Sequence, residues 1–443
     1  MIDCIASAKI VIDKLEQAGF ETWVVGGCVR DSLMGRVPHD WDLCTAATPE
    51  EMKKFLSDMP LLEIGSRHGT VTVCTPDGLI EVTTFRADGE YTDGRRPDCV
   101  RFVQDIREDL ARRDFTVNAM AFSPVRGLYD PFNGQKDLKN DILRTVGDAD
   151  RRFQEDGLRI LRAVRFVSQF GFHVTAETAL AMRRQIIRLD CVSVERIQEE
   201  WTKILCGRYV CRALREFTDI IGYFLPELRP MFNCDQQNPH HLYNVWEHTI
   251  RAVGQVPASP ILRLAALLHD CGKPACKTVD ENGVGHFYNH PAVSREIAKD
   301  LLRRLRYPNH DGERIASLVA NHDRILDGSK KIIRRALSKL GETQYRDLLA
   351  LKKGDLVGQG TNRERIITLW KMERQLNDIL QEDACLSLKN LAVNGRDMIA
   401  LGLTGSAIGE TLRMLLDAVI EETLPNEREP LLSLARQNIT KHK

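Results

Sequence analysis

The pattern of apolar and polar positions predicts both strands and helices in the first third of the chain. Residues 1–19 follow the pattern of an amphipathic helix, and the apolar residues 23–25 predict a strand. A helix is expected over residues 48–57, because its first residue is a capping threonine and two glutamates fall in its first turn. The Pro-Asp-Gly turn at residues 76–78 predicts a β-hairpin.

Helical patterns replace strand patterns from Asp148 onward. Between residues 158 and 166 the apolar side chains recur at the spacing of one helix face. Residues 364–381 and 391–420 also have helical patterns. The sequence therefore predicts an α+β chain, in which a mixed sheet with helices comes first and an all-α part follows.

Composition narrows the class of protein. A length of 443 residues predicts three or four structural units, and 43% hydrophobic with 28% charged residues is typical of a soluble protein. No apolar run approaches membrane-spanning length, and the acidic amphipathic start is not a secretory signal. The 12 cysteines are scattered without CxxC pairs, which favours reduced thiols in the cytoplasm. A net charge of +0 disfavours coating of nucleic acid through bulk charge, but it permits a local basic face.

Two glycines and two aspartates form the first candidate site. Gly26 and Gly27 end the first predicted strand and precede a predicted helix, so the backbone can approach a ligand and the helix start can receive a triphosphate. Asp40 and Asp42 are two positions apart on a predicted strand and face the same side. Paired carboxylates beside a phosphate seat can hold Mg²⁺ ions for phosphoryl or nucleotidyl transfer. A DxD motif by itself is common and is more often a solvated turn.

Longer motifs make the case more specific. The string GGCVRD, followed closely by DWD, resembles the nucleotidyltransferase superfamily of DNA polymerase β. Within it, the chain is similar to the class II tRNA CCA-adding enzymes and bacterial poly(A) polymerases. The string RRDFTVNA at residues 112–119 matches a signature of this family closely. The resemblance implies a polymerase-β-like nucleotidyltransferase head with a mixed sheet, followed by an all-α neck, HD body and tail.

The resemblance also implies roles for individual residues. Asp40 and Asp42 would be catalytic and hold Mg²⁺, and Glu81 on a nearby strand would complete the site, although a solvent-facing glutamate is an equal alternative. Arginines can contact phosphates, and Asp114 can accept a hydrogen bond from a ribose hydroxyl. The expected nucleotide-binding residues are Gly26, Gly27, Arg30, Arg112, Arg113, Asp114, Asn118, Asp156, Arg159, Arg162 and Arg165.

Asp156 and Arg159 belong to an EDxxR motif that, in class II enzymes, selects the incoming base. Cytosine and adenine both present an exocyclic amine beside an unprotonated ring nitrogen, which suit a carboxylate acceptor and a guanidinium donor. Uracil and guanine present a keto oxygen beside a ring N–H, so donor and acceptor are exchanged. Each mismatch would leave a polar group unsatisfied at a cost of ~1–3 kcal/mol. The alternative is an exposed ion pair of little energetic value.

After residue 226 the composition shifts toward histidine. The order of these histidines, which continues to an aspartate, resembles the HD phosphohydrolase superfamily. Neutral imidazoles and a bridging carboxylate suit a divalent transition metal. The alternative is a catalytically silent helical body. The resemblance implies His248, His269, Asp270 and Asp355 as metal ligands, with His290 and His322 as candidates for a second metal or a phosphate contact.

The complete expectation has four domains. Residues 1–145 form the catalytic head, residues 146–225 a helical neck for base selection and RNA binding, residues 226–360 the HD domain, and residues 361–443 a tRNA-binding helical tail. The implied function is addition of C, C and A to tRNA 3′ ends from CTP and ATP, in the cytoplasm, with no membrane partner. The residues at 91–97 resemble a loop that the CCA-adding family needs for the final A, and the alternative is a long surface hairpin.

Two other functions remain open on the sequence. A poly(A) polymerase or an A-only adding enzyme shares every motif of the head. An RNA-binding protein whose HD domain is a metal-dependent phosphohydrolase is the second alternative. The oligomeric state and the substrate of the HD domain are not readable from the sequence.

Overall fold

The computed structural model describes residues 2, 4–62, 69–88, 100–239, 241–324, 328–360, 363–382 and 385–441. The chain divides into two compact units, residues 1–226 and residues 227–443. The predicted loop over residues 91–97 lies outside the described residues. Among the residues described, no helix is long and apolar enough to cross a membrane.

The N-terminal unit is built on a mixed sheet, as predicted. Seven strands form it in the order β3-β4-β5-β2-β1-β8-β9; β2 and β5 run parallel, and every other neighbouring pair is antiparallel. Two further pairs, β6 with β7 and β10 with β11, lie outside the sheet. The strands are β1 (Thr22–Val25), β2 (Trp41–Thr45), β3 (Leu61–Leu62), β4 (Thr70–Thr75), β5 (Gly78–Thr84), β6 (Arg86–Asp88), β7 (Val100–Phe102), β8 (Ala121–Ser123), β9 (Gly127–Tyr129), β10 (Ile142–Leu143) and β11 (His173–Val174).

Helices cover the sheet and continue beyond it. The predicted cap at Thr48 is confirmed: its side chain accepts from the backbone N–H of Glu51, whose carboxylate accepts from Thr48 N–H in return. The helices of this unit are α1 (Ala6–Gln17), α2 (Gly27–Leu33), α3 (Pro49–Phe55), α4 (Ile106–Ala111), α5 (Gly134–Lys139), α6 (Ala149–Glu155), α7 (Leu158–Phe170), α8 (Ala176–Arg184), α9 (Val194–Leu205), α10 (Val210–Glu216) and α11 (Thr218–Phe224).

Strand β2 has the hydrophobic core on one face and the candidate site on the other. Trp41 and Leu43 are buried in one hydrophobic cluster, and Cys44 belongs to a second cluster on the opposite face. Since side chains alternate along a strand, Asp42 points to the face that carries Cys44. The apolar packing of Trp41 therefore fixes the direction in which the aspartate projects.

The EDxxR motif lies where α6 ends and α7 begins. Asp156 has extended backbone angles, and its carboxylate accepts from the N–H of Leu158 at 3.0 Å. A Cβ on Gly157 would lie 2.3 Å from the carbonyl oxygen of Arg188, so only glycine fits between these segments. The two helices are thus separated by a bend that holds the motif at the junction.

The C-terminal unit is almost entirely helical. Two strands form a hairpin that was not predicted: β12 (Lys277–Val279) and β13 (Gly285–Phe287). The helices are α12 (Val245–Gln255), α13 (Pro260–Leu268), α14 (Lys273–Cys276), α15 (His290–Arg304), α16 (Asn309–Asn321), α17 (Lys330–Leu340), α18 (Glu342–Gln359), α19 (Arg363–Gln381), α20 (Gly395–Ala400), α21 (Ser406–Ile420) and α22 (Arg428–Lys441). The fold class predicted from the sequence is confirmed, with short strand pairs added to the helical part.

The close approach of α7 to the end of α9 gives the first prediction. A Cβ on Gly207 would lie 2.1 Å from Ser168 Oγ and 2.5 Å from the Ser168 carbonyl oxygen. We expect Gly207→Ala to destabilise the protein by about 1–3 kcal/mol, because backbone must move to relieve the overlap. The measurement is thermal unfolding followed by circular dichroism.

Gly312 provides the matched control. It lies inside α16, and a Cβ there would have no atom within 4 Å. Gly312→Ala should stabilise the protein by about 0.5–1 kcal/mol, since alanine loses less backbone entropy in a helix. Equal unfolding temperatures for the two variants would contradict the packing role assigned to Gly207.

Candidate functional sites

Three carboxylates meet at one end of the sheet. Asp42 on β2 is paired with Val25, the last residue of β1, and on its other side with Glu81 of β5. Asp40 lies just before β2, two positions from Asp42, and is exposed. The pairing brings the expected third carboxylate next to the DxD motif, beside the point where β1 leads into Gly26.

The electrostatics of this cluster suit a divalent cation. Burial raises the pKa of Asp42 to about 6; the charges of Glu81 and Asp40 also raise it, and Arg113 opposes them. Within the described part of the chain, no lysine or arginine forms an ion pair with any of the three carboxylates. Clustered oxygen ligands without a protein counter-ion fit the ligand preference of Mg²⁺.

The glycine turn lies against a buried arginine. Gly26 has φ 78°, and a Cβ there would lie 2.9 Å from Arg113 Nη1. Gly27 begins α2, and a Cβ on it would lie 3.6 Å from Arg30 Nη2. The positive φ favours glycine at position 26, and the absence of a side chain leaves room for the guanidinium of Arg113. The turn, Arg30 and Arg113 therefore lie close together.

Asp109 orients the two arginines of the RRD motif. Its buried carboxylate accepts from Arg112 Nη2 at 2.8 Å and from Arg113 Nη2 at 3.1 Å. Although burial alone would raise it, these guanidiniums hold the pKa of Asp109 below its usual range. Sequence analysis missed this residue. The i, i+3 and i, i+4 spacing from Asp109 to the arginines was the available signal.

A second buried network joins the helix after the glycine turn to α7. Arg30 Nη1 donates to Asn118 Oδ1 at 2.6 Å, and Asn118 Nδ2 donates to Asp114 Oδ1 at 3.0 Å. Arg162 Nε donates to Asp114 Oδ2 at 2.7 Å. Burial alone would raise the pKa of Asp114, but Arg162, the Asn118 hydrogen bond and Arg159 hold it well below its usual range. Four predicted residues are thus directly connected.

Asp156 and Arg159 do not pair with each other, contrary to the ion-pair alternative. Asp156 Oδ2 accepts from Arg196 Nη2 at 2.7 Å. Arg159 Nη1 donates to Glu155 Oε2 at 2.8 Å, and its Nη2 donates to the carbonyl oxygen of Arg112 at 3.0 Å. The Arg159 contact ties the EDxxR motif to the RRD motif.

Arg165, the last predicted nucleotide-binding residue, also lies on α7. Its Nε is 2.8 Å from Glu200 Oε2 on α9. Burial and the charge of Arg162 lower the pKa of Arg165, although Glu200 and Asp114 oppose that shift. The structure therefore brings all of the predicted head and neck residues into one connected region.

The C-terminal unit collects the predicted HD residues into a second site. His248 lies on α12, His269 and Asp270 follow α13, and Asp355 lies on α18. His248 Nε2 is 3.1 Å from His269 Nε2 and 3.1 Å from Asp355 Oδ1. Three helices that are far apart in the sequence, α12, α13 and α18, thus contribute to this site, and two additional histidines are described next.

His290 and His322 form a second group around the same aspartate. Asp270 Oδ2 lies 3.2 Å from His269 Nε2, and Asp270 Oδ1 lies 3.3 Å from His290 Nε2. His322 Nε2 lies 3.3 Å from His290 Nε2. The result is two sets of three ligand atoms, each close enough together to hold a metal ion, and both sets include Asp270.

Backbone contacts orient three of these imidazoles in the same way. The Nδ1 atoms of His269, His290 and His322 lie 2.7–2.8 Å from the carbonyl oxygens of Ala266, Phe287 and Val319, each three residues earlier. A carbonyl can only accept, so each Nδ1 carries a proton and each Nε2 is the atom left to bind a metal, which displaces any proton held there. Three lone pairs directed at Asp270 are the donor set that a transition metal requires.

The surroundings of the site include residues that the sequence had not indicated. Lys273 Nζ is 2.7 Å from Asp270 Oδ2 and donates to Gln236 Oε1 at 2.9 Å. His241 packs edge-on to His248, and burial together with nearby positive charge lowers the pKa of His241 to about 3. Both residues line a cavity of about 310 Å³ that opens beside Asp270 and His290.

Family models match the two parts of the chain that carry the candidate sites. Residues 22–144 match the family described as "Poly A polymerase head domain", and residues 240–369 match the "HD domain". Residues 171–232 match "Probable RNA and SrmB-binding site of polymerase A". The chain therefore contains a segment similar to a poly(A) polymerase head domain and a later segment similar to an HD domain.

Individual relatives narrow the class further. The CCA-adding enzyme of Staphylococcus aureus strain MRSA252 is 48% identical over 200 residues, which is 45% of this chain and 50% of that protein. The chain thus matches about half the length of such curated relatives. The CCA-adding enzyme of Bacillus stearothermophilus, solved with CTP, superposes with a TM-score of 0.72 at 27% identity, covering 98% of this chain and 97% of that one.

A more distant structure shares the fold. The Thermotoga maritima CCA-adding enzyme, solved in complex with tRNA, has a TM-score of 0.58 at 20% identity, covering 97% of this chain and 94% of that one. Together these findings confirm the resemblance drawn from the sequence, which is to CCA-adding enzymes that carry an HD domain.

The two ligand groups of the C-terminal unit give the second prediction. With Mn²⁺ as the only added metal, His248→Gln and His322→Gln should each lower the bound metal by about one ion per chain, since each removes a ligand from one group. Asp270→Asn should weaken both groups. The measurement is elemental analysis after dialysis, and the head carboxylates are the same in every variant.

His310→Gln is the matched control, because His310 is exposed and belongs to neither group. Although burial alone would lower it, Asp270 and Asp355 raise the pKa of His269 to about 10. Protons therefore compete with the metal, and bound Mn²⁺ should fall as the pH falls. The same metal content in wild type and Asp270→Asn would refute the site.

Proposed function

We propose that this protein is a tRNA nucleotidyltransferase that adds C, C and A to tRNA 3′ ends from CTP and ATP. The observation that carries the proposal is the direct link between the two motifs: Arg159 of EDxxR donates to the backbone of Arg112 in RRD. Asp109 orients Arg113, which in turn lies against Gly26. One connected region thus joins the groups for base selection to the groups for phosphate and metal binding.

In this proposal Asp40, Asp42 and Glu81 hold Mg²⁺. Bound there, Mg²⁺ would supply charge stabilisation at the α-phosphate and favour the ionised form of the attacking tRNA 3′ hydroxyl. Gly26 and Gly27 let the backbone approach the triphosphate, and Arg113 supplies positive charge beside it. Asp114 is ionised and buried, which suits acceptance of a hydrogen bond from a ribose hydroxyl.

In this proposal, Asp156 and Arg159 select the base through the hydrogen-bonding positions that their contacts within the protein leave open. The carboxylate accepts from an exocyclic amine, and the guanidinium donates to an unprotonated ring nitrogen. These requirements admit cytosine and adenine and reject uracil and guanine. The relatives that are named CCA-adding enzymes, one of them solved with CTP, support this choice over a poly(A) polymerase or an A-only adding enzyme. The proposal places the protein in the cytoplasm with its tRNA substrate.

The metal-holding role gives the third prediction. Asp42→Asn should lower nucleotide addition about 1,000-fold or more with either CTP or ATP, because an amide is a poor Mg²⁺ ligand and the lost charge stabilisation amounts to several kcal/mol. Binding of tRNA should remain nearly unchanged. The measurement is single-turnover addition to tRNA that ends at the discriminator base.

Asp58→Asn is the control, since Asp58 lies on the surface of the same unit and pairs only with Lys14 in the described contacts. It should retain full activity. Substantial transfer by Asp42→Asn under the same conditions would exclude the metal-holding role.

The base-selecting pair gives the fourth prediction. Asp156→Asn should reduce the preference for CTP over UTP by about 10- to 100-fold, the size of one charge-assisted hydrogen bond. An amide N–H₂ in place of one carboxylate oxygen lessens the repulsion that the keto oxygen of uracil meets at Asp156. Arg159→Ala should lower addition of both C and A. The measurement is kcat/KM for the four nucleoside triphosphates.

Asp219→Ala serves as the comparison, because it breaks an exposed pair with Arg183 elsewhere in the same unit. It should leave all four values unchanged. If Asp156→Asn and Arg159→Ala keep the wild-type ratios of CTP to UTP and ATP to GTP, the pair does not select the base.

A second candidate function, metal-dependent hydrolysis of phosphate esters, is favoured by the two ligand groups that share Asp270. The cavity beside them is open to solvent-borne substrates and carries the buried cation of Lys273, which suits a phosphate. Release of p-nitrophenol from bis-p-nitrophenyl phosphate in the presence of Mn²⁺ tests it. Wild type should hydrolyse the ester, and Asp270→Asn should not; equal rates would overturn the assignment.

A further inference from the structure

The imidazole of His248 is held differently from the other three imidazoles of the C-terminal site. Metal-binding imidazoles are ordinarily oriented by a hydrogen bond on the ring nitrogen that does not bind the metal, and backbone carbonyls supply that bond to the other three. In the described part of the chain, His248 Nδ1 has no hydrogen-bond partner, although the residue is only 1% exposed. Packing must therefore set the direction of its Nε2, which lies 3.1 Å from Asp355 Oδ1.

The packing is supplied by a glycine of α18. A Cβ on Gly358 would lie 3.2 Å from His248 Nδ1, 3.1 Å from the His248 carbonyl oxygen and 3.1 Å from the backbone nitrogen of Ala252. Gly354, one turn earlier on α18, faces a later turn of α12, where a Cβ would lie 2.7 Å from Val256 Cγ1. The two glycines thus let α18 lie closer to α12 than any side chain would permit.

We propose that Gly358 is a positioning residue of the metal site: because it has no side chain, α18 lies directly against the His248 ring and fixes it. The inference rests on the metal site proposed for the C-terminal unit. Asp355 lies on the same helix, so the approach that orients the histidine also brings the carboxylate to it. Gly358 meets the ring at Nδ1, on the side away from the metal, and acts through His248.

The tolerance of a metal site makes this contact important. Distances from a metal to its ligands are held within about 0.2 Å. A methyl group at position 358 would require its neighbours to move by a few tenths of an ångström. Two of those neighbours are backbone atoms of α12, which cannot rotate away as the end of a side chain can. The His248 ring would therefore be displaced relative to Asp355.

The displacement should affect one of the two ligand groups. His248 belongs to the group with His269, whereas His290 and His322 form the other group around Asp270. Neither of the latter two rings is among the nearest atoms to a Cβ on Gly358, and carbonyls orient both of them. An ion that stays in the second group also shows that the unit is folded.

Gly358→Ala tests the inference in a Mn²⁺ titration of the full chain, in which electron paramagnetic resonance measures the free ion. We expect the affinity of one group to fall by about 10- to 100-fold and that of the other to be retained. In a His248→Gln background, Gly358→Ala should cause no further loss, because the residue through which it acts is absent.

Gly354→Ala is the matched control, since it makes the same change one turn away on the same helix. The nearest atom to its Cβ is a methyl of Val256, so the unfolding temperature should fall while both groups keep their affinity for Mn²⁺. Wild-type affinities at both groups in Gly358→Ala would overturn the inference. So would an equal weakening of both groups or the same loss in Gly354→Ala, because either is the result of a merely structural role.

The titration of wild type separates this inference from the metal site on which it rests. If wild type binds no Mn²⁺ that Asp270→Asn removes, the metal site fails and the inference fails with it. If wild type binds such ions and Gly358→Ala binds them equally well, only the role of Gly358 fails. Nucleotide addition is not part of the measurement, and the residues proposed for it lie in the other unit.

Discussion

The buried carboxylate of Asp109 is the interaction on which the geometry of the N-terminal site depends. It is fully buried and accepts hydrogen bonds from the guanidiniums of Arg112 and Arg113, which follow it by three and four residues. Neutralising Asp109 would be costly, because Arg112 and Arg113 would then be left without a counter-charge. Arg113 is thereby held against Gly26, and the backbone of Arg112 is held where Arg159 reaches it. The glycine turn and the EDxxR motif therefore share this one support.

Much of this arrangement follows from local patterns that a sequence displays. The two-residue period of a strand predicted Asp40 and Asp42 on one side, although β2 begins at Trp41 and leaves Asp40 just outside it. Thr48 with Glu51 marked a helix start that the structure has. Local patterns could not predict the parallel pairing of β2 with β5, which places Glu81 beside Asp42. The two residues are 39 positions apart, and the connection between their strands has no fixed direction. Nor could they predict the partner of Asp156: Arg196 lies 40 residues away on another helix.

Charge pairing distinguishes supporting carboxylates from those available to a ligand. Asp109, Asp114 and Glu200 are buried and each lies against arginine side chains. Asp42 is also largely enclosed, but among the described residues no arginine or lysine forms an ion pair with it, and its pKa rises to about 6. A buried carboxylate is stable only when paired or protonated. The contrast supports the proposal that Asp42 holds a divalent cation, which would supply the charge that an ion pair supplies to the other three carboxylates.

The two proposed metal sites differ in ligand chemistry, and that difference can keep them independent. The N-terminal cluster offers only carboxylate oxygens, which suit Mg²⁺ and bind transition metals without special preference. The C-terminal cluster surrounds Asp270 with the Nε2 atoms of four histidines, three of them held in one tautomer by backbone carbonyls. Imidazole binds Mg²⁺ poorly and transition metals well. A chain with both ligand sets can therefore bind Mg²⁺ with its nucleotide in one unit while a scarcer transition metal stays in the other. The choice between the two ions does not depend on the overall charge of the protein, which is zero.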